Sequence, residues 1–411
     1  MTDLRRTDRS RMRALNTQLV VDHIRRAEAA SQADLIQATK LTTGTIVSIV
    51  RDLCRRGLVV RAGRGVSRGG RRPTLLRLNH SAATVLCCQV GSDTATVAVL
   101  DLGAEILARR ELAIEPERGP EAFMARLATC LRELLQTHAP ADGCIAGLGL
   151  SLHGAVDAQR GVMLFSEHLG WRDVPFGDEL QQALGVPVFA EGETRAMALA
   201  ERRWGAAQGA QDFVLVELDT GIGMVQVLEG KLCRGRHHMA GELGFTVWDT
   251  SGRAADGQRP RVLEDMASLR ALCHQAEQLP KVVAAVAGQP AVGTTEEAWL
   301  QGLVSASLAG HAVARQILDH ATHALGIAIA NIVNLLDPEL VLLTGRLVYA
   351  ADGALVDPLC SCVRRHLLDT QRAPRIERAI LGPDAALLGA SGLVINHFLS
   401  ADNLARERPT D

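Results

Sequence analysis

Aromatic residues are scarce in this 411-residue chain. One tyrosine, four tryptophans and seven phenylalanines make up 3% of it, yet 47% of the residues are hydrophobic. That composition is ordinary for a soluble globular protein and excludes wholesale disorder. Long apolar runs are missing too. The longest candidate, Ala324 to Leu336, is interrupted by Asn331 and Asn334 and is too short to cross a bilayer, which takes about 20 apolar residues. The N-terminus is rich in arginine but lacks the apolar segment of a secretory signal. None of the nine cysteines forms a C-x-x-C pair; Cys87-Cys88 and Cys360-Ser-Cys362 are the close ones. This spacing argues against a cysteine-built metal site and for reduced, buried thiols in a cytoplasmic protein.

What is present is length and an uneven charge. The chain is long enough for two or three domains. Residues 1–80 hold 17 lysines and arginines against 6 acidic residues, a net +11, and the remainder holds 27 against 40, a net -13. A basic end on an acidic body suggests a nucleic-acid-binding segment. Apolar periodicity inside the basic segment argues against a merely solvated tail.

That periodicity gives the segment a shape. Asn16 to Arg26 places Leu19, Val20, His23 and Ile24 on one helical face. A second helix is expected over about Gln32 to Thr39, a turn at Lys40-Leu41, and a third helix capped by Thr42, whose hydroxyl can accept a first-turn N–H. Ile46, Ile49, Val50 and Leu53 recur at core spacing, leaving Thr43, Gly44, Thr45, Ser48, Arg51 and Arg55 outward. Small polar residues at a helix start, with arginines further along, suit a helix inserted in a major groove. Gly57 ends the helix. Leu58 to Arg61 and Thr74 to Leu78 then read as the two strands of a wing, joined by a glycine-rich loop with Arg68, Arg71 and Arg72. The loop suits either a narrow minor groove or phosphate contacts alone.

The body reads as α/β. Residues 84–102 form a hairpin; a strand (Ile106 to Ile114), a helix (about Pro120 to Thr137) and a buried strand (Cys144 to Leu152) follow, and Pro187 to Phe189 begins another. Phe213 to Leu218, then Asp219-Thr-Gly-Ile-Gly-Met224, open a second pass of the same plan. Strands first and crossover helices after, given twice, predict two α/β lobes around a cleft.

Specific stretches carry a family resemblance. They are Gly161-Val-Met-Leu-Phe-Ser-Glu-His-Leu-Gly-Trp-Arg-Asp-Val-Pro175, Ala240-Gly-Glu-Leu-Gly244, Asn334-Leu-Leu-Asp-Pro-Glu-Leu-Val-Leu-Leu343 and Leu387-Leu-Gly-Ala390. With the winged front end, they make the chain resemble transcriptional regulators of the ROK family (repressors, open reading frames and sugar kinases), in particular its xylose- and N-acetylglucosamine-operon repressors. The resemblance implies a winged helix-turn-helix over 1–80 and a two-lobed, actin-like ATPase fold behind it. The first lobe would span 81–190, completed by a helix at 385–400, and the second 191–384.

Departures from the family pattern bear on chemistry. Family kinases bind ATP phosphates with an Asp-x-Gly-Gly-Thr turn, where this chain has Gln89-Val-Gly-Ser-Asp-Thr94. Gln89 lacks the charge, and Asp93 adds one that repels phosphate. The second phosphate turn, Asp219 to Gly223, is better kept. The family's catalytic Asn-Asp-x-Asn corresponds to Gly192-Glu-Thr-Arg195. Glu193 is one methylene too long, a shift of about an ångström that can cost on the order of a hundredfold in rate. The zinc-binding His corresponds to Phe245, and the cysteine run to residues 255–262, which hold no cysteine. Such side chains offer Zn²⁺ no lone pair, so no structural metal is expected.

The resemblance also places an effector. Glu242 and Glu264 match the family's two sugar-binding glutamates, while His168, Gly192, Glu193 and Phe245 replace its other ligands. His168, Glu193, Arg195, Glu242, Phe245 and Glu264 are the expected effector residues. Three readings stay open: a sugar or sugar derivative, a different small molecule, including an anionic one met by Arg195 and His168, or no effector. Phe245 and Trp171 are each a stacking surface or a core aromatic. The whole implies a repressor of carbohydrate genes that is a homodimer or a higher homo-oligomer, binding double-stranded operator DNA, without a cofactor and without catalysis. The alternative is a sugar kinase that retains a DNA-binding arm.

Overall fold

The computed structural model describes residues 2–66, 72–138, 144–249, 260–277 and 296–405. They fall into two compact units: Met1–Gly192 with Ala390–Asp411, and Glu193–Gly389.

The first unit opens with α1 (Thr2–Arg26), β1 (Ala30–Ser31), α2 (Gln32–Thr39), α3 (Thr43–Arg55), β2 (Val59–Arg64) and β3 (Thr74–Leu78). The strands form an antiparallel sheet in the order β1-β3-β2, with Ala30 opposite Leu76 and Val59 opposite Leu78. Helix α1 starts well before the expected Asn16; its polar, arginine-rich first half carries no apolar period from which to read it. Its buried stripe is Thr17, Val20, Val21 and Ile24, while Leu19 is 47% exposed. The apolar face is therefore turned by one residue from the sequence expectation.

The first lobe follows with β4 (Ala83–Val90), β5 (Thr94–Leu100), β6 (Ile106–Ala113), α4 (Gly119–His138), β7 (Cys144–Leu152), β8 (Ala155–Asp157), β9 (Val162–Ser166), β10 (Trp171–Val174), α5 (Phe176–Leu184) and β11 (Val188–Gly192). Five of these strands form one sheet, β11-β7-β4-β5-β6, whose β4, β7 and β11 run parallel. Buried Leu86, Cys88, Leu148 and Leu150 pack with Phe123, Leu127 and Leu131 of α4. Each such side chain contributes on the order of 1.5–3 kcal/mol on burial.

The second unit contains α6 (Glu193–Trp204), β12 (Phe213–Leu218), β13 (Ile222–Leu228), β14 (Lys231–Leu232), β15 (Val247–Asp249), β16 (Arg261–Val262), α7 (Glu264–Ala267), α8 (Leu269–Glu277), α9 (Glu296–Leu308), α10 (Ala312–Leu336), β17 (Leu340–Thr344), α11 (Arg346–Arg365) and β18 (Arg375–Arg378). Its sheet runs β14-β13-β12-β17-β18. Val214 and Val216 on β12, and Val341 and Leu343 on β17, share a core with α10 and α11. Among the described residues no helix is long and apolar enough to cross a membrane. In α10, Asn334 instead donates to the carbonyl of His366 and accepts from the N–H of Leu368.

Helix α12 (Ala385–Phe398) and the short α13 (Ala401–Leu404) close the described chain. From Ala390 onward they belong to the first unit. A Cβ at Gly149 of β7 would stand 2.2 Å from the carbonyl oxygen of Ala390. Glycine there lets helix backbone lie directly on strand backbone.

Candidate nucleic-acid interface and effector site

The helix-turn-helix is built by local chemistry. At the start of α2, Ser31 Oγ accepts from Asp34 N, and Asp34 Oδ2 accepts from Ser31 N at 2.9 Å, a reciprocal cap. The turn is made by Lys40 in the left-handed region, φ 58°, whose N–H reaches the Ile36 carbonyl. Thr42 then caps α3, its Oγ1 accepting from Thr45 N at 3.3 Å. Ile46, Ile49, Val50 and Leu53 are buried. Thr43, Gly44, Ser48, Arg51 and Arg55 are exposed on the other side. Thr45 is half-buried, and its hydroxyl pairs with that of Thr42 at 2.9 Å.

Arg61 and Arg64 extend this surface along β2, and Arg72 lies exposed at the foot of β3. Arg68 and Arg71 lie outside the described residues. A groove of about 550 Å³ runs between α3 and the wing, with Gln32, Val47, Arg51, Cys54, Arg61 and Thr74 among its walls. Arg51 and Arg61 thus face one concavity from helix and strand, an arrangement that suits a phosphate of a duplex backbone. Arg61 was missed from sequence, although its alternation along the strand was there to be read. Burial raises the Cys54 thiol, and the Arg61 charge opposes that shift.

In the second unit, the expected effector residues Glu193, Arg195, Glu242, Phe245 and Glu264 are all described. His168 belongs to the first unit. Glu264 Oε2 accepts the Ile222 N–H at 3.1 Å, and a Cβ at Gly244 would stand 2.5 Å from the same oxygen. Partial desolvation, then the charge of Glu264, push the Glu242 carboxyl up, while Arg195 pulls it down. Arg195 is 6% exposed, and its Nη2 donates to the carbonyls of His238 and Ala240 at 2.8 and 3.2 Å. It holds the loop leading to Glu242. Phe245 is 46% exposed, and Met239 and Val247, near it in sequence, are exposed as well.

Glu193, Glu217 and Asp219 lie close enough for their charges to interact. Thr194 Oγ1 donates to Glu217 Oε2 at 2.7 Å. Burial, then the charge of Glu193, push Glu217 up to about 8. In the second phosphate turn, Asp219 is claimed by Arg346 at the start of α11. Nε and Nη2 of Arg346 donate to Oδ1 at 2.8 and 2.6 Å, and its backbone N–H donates to Oδ2 at 3.0 Å. The same Nη2 reaches Thr220 Oγ1 and Glu296 Oε2. Burial raises the Asp219 carboxyl, but the Arg346 hydrogen bonds and charge outweigh it and hold the group low.

In the first unit, Asp93 is exposed in the turn that replaces the first phosphate loop. His153 Nδ1 lies 3.3 Å from Ser166 Oγ, and the His168 ring stands edge-on to His153 with centroids 5.5 Å apart. Trp171 is a core residue, 5% exposed and packed against Phe123 and Phe176. Its Nε1 donates to the Pro116 carbonyl. Among the described residues, no three His, Cys, Asp or Glu side chains are grouped to hold a metal ion. Residues 255–259, part of the stretch that corresponds to the family's cysteine run, lie outside them.

Residues 85–397 match the description of the ROK family. The chain belongs to the ROK family. A ROK relative, the xylose repressor of Bacillus subtilis (strain 168), is 25% identical over 392 residues, covering 95% of this chain and 98% of its own. A glucokinase of Halalkalibacterium halodurans is 29% identical over 314 residues, covering 74% of this chain and 93% of its own. Among solved structures, a ROK family transcriptional regulator, a homologue of the Escherichia coli MLC protein, superimposes with a TM-score of 0.78 at 26% identity. It covers 96% of this chain and 98% of its own. The fold is thus α/β, with a winged helix-turn-helix front end and a sugar-kinase-like, actin-fold ROK body.

Proposed function

We propose that this ROK protein is a cytoplasmic, homodimeric transcriptional repressor of carbohydrate genes, whose body senses a small molecule and transfers no phosphoryl group. The observation that carries this reading is the exposed face of α3, bearing Thr43, Gly44, Ser48, Arg51 and Arg55, beside a wing groove that Arg51 and Arg61 share. The Bacillus relative, a repressor by name, matches nearly from end to end, whereas the glucokinase matches about three quarters of this chain. Two heads related by two-fold symmetry suit a pseudo-palindromic operator.

Phosphoryl transfer depends almost wholly on positioning and charge. Gln89, exposed Asp93, the long Glu193 and the Asp219 carboxylate spent on Arg346 all weigh against it. Glu242 and Glu264 favour a hydroxyl-rich ligand, and the exposed Phe245 ring offers it an apolar face. Arg195, spent on backbone carbonyls, weighs against an anionic one. Phe245 gives zinc no ligand.

The test has two arms. A duplex selected from a random pool by the full chain is titrated at rising salt; a steep loss of affinity is expected. Addition of a xylose, glucose or N-acetylglucosamine panel is expected to release the duplex for one member. Coupled ADP detection with the same sugars, ATP and Mg²⁺ is expected to stay at background. Turnover in step with a sugar would establish the kinase reading instead.

A further inference from the structure

Two adjacent arginines at the end of α3 both reach Asp52, Arg56 at 3.7 Å, but differ in burial and in their other partners. The Arg55 side chain is 78% exposed and pairs with Asp52. The Arg56 side chain is 14% exposed, and its Nη1 donates at 2.7 Å to the backbone carbonyl of Leu404, at the end of α13. Two further bonds join the same distant parts of the chain. Gln18 Oε1 on α1 accepts from the Ala401 N–H at 3.0 Å, and Arg25 Nη1 donates to Asn396 Oδ1 at 3.2 Å. Between them Phe398, Leu399 and Leu404 are buried, and α13 packs along α1. The segment is internally finished: Ser400 Oγ caps α13 through the Asn403 N–H, and Asn403 Nδ2 donates to the Phe398 carbonyl.

We propose that residues 396–404 are a working part of the DNA-reading head, and that Arg56, Gln18 and Arg25 are positioning residues that set the angle of α3. The proposal rests on the head binding duplex DNA. The reading groups Thr43 and Gly44 lie at one end of α3, and Arg56 follows its other end. The 13-residue helix is roughly 20 Å long at about 1.5 Å per residue. A tilt of about 10° would therefore carry its first turn roughly 3 Å, far beyond the tolerance of a hydrogen bond to a base edge. Fastening the far end to a hook outside the winged fold removes that freedom.

The alternative for Arg56 is a plain phosphate contact, and the two roles predict different results. Full-length chain, Arg56→Ala, a chain ending after Ser400, and the two changes combined are titrated against the duplex selected by the wild type, over a range of salt. On the proposal, Arg56→Ala weakens binding about tenfold with an unchanged salt slope. The truncation, which leaves Arg56 intact, does the same, and the combination is no worse than either alone. A slope reduced by about one for Arg56→Ala, with a silent truncation, would make Arg56 a phosphate contact and overturn the proposal. Wild-type affinity in both variants would overturn it as well. If the truncated chain does not fold, Gln18→Ala serves as the milder arm; a loss of about threefold is expected, and no loss in either Gln18→Ala or Arg56→Ala defeats the hook. A wild type that selects no duplex would instead bring down the DNA-binding reading itself.

Discussion

The hydroxyl of Thr194 donates a 2.7 Å hydrogen bond to the buried carboxyl of Glu217. Burial and Glu193 push that carboxyl up to about 8 from its ordinary 4.5, so the folded chain keeps a proton that the unfolded chain has lost. Native Glu217 therefore binds more protons than unfolded Glu217 between these two values. Its contribution is greatest below about 4.5, declines as pH rises towards 8, and is flat above. Glu217→Gln should remove that decline, on the order of 1 kcal/mol per pH unit. Denaturant melts of both proteins from pH 5 to 9 would measure it. Parallel curves would show that Glu217 titrates normally.

Arg195 should prove structural. Replacing it with methionine keeps the bulk but strips two charge-assisted bonds from the carbonyls of His238 and Ala240. A loss of about 2–3 kcal/mol is expected, read as a lower thermal midpoint without ligand. Unchanged stability with a lost effector response would assign Arg195 to the ligand.

Gly44 separates stability from reading. A Cβ there meets nothing within 4 Å, so Gly44→Ala should stabilise α3 by about 0.5–1 kcal/mol. On the proposed DNA-binding reading the same methyl would stand where the helix start approaches base edges, and affinity for the selected duplex should fall severalfold. Tighter binding of the variant would mean that this turn does not enter the groove.

Gly149 is a packing requirement. A methyl there would sit 2.2 Å from the Ala390 carbonyl oxygen, forcing α12 off the sheet. Gly149→Ala should cost about 3 kcal/mol and broaden thermal unfolding. A variant as stable as the wild type would mean that α12 can shift freely.

Much of the head could be read from sequence because its signals are local. Ser31 and Asp34, Thr42 and the Ile46–Leu53 spacing each act within one or two helical turns, and α2 and α3 follow. Helix α1 was harder: its apolar stripe is short, and Leu19 and Val21 compete for the same face. The body's strands were legible as apolar runs, and Glu242 stands in one of the family stretches, Ala240 to Gly244. Arg195 and Arg346 were not legible. One reaches carbonyls more than forty positions away, and the other an aspartate 127 positions away, and no local periodicity encodes such partnerships. Trp171 read equally as stacking surface and core until its packing against Phe123 and Phe176 was seen.

Anyone setting out to engineer phosphoryl transfer into this body would meet Arg346 before any substrate did. Writing aspartate at positions 89 and 193 would leave its guanidinium fastened to Asp219 and Glu296, with the turn already serving as masonry between β12 and α11. Redesign would start at residue 346, and it would have to find new company for two carboxylates that the arginine now keeps quiet.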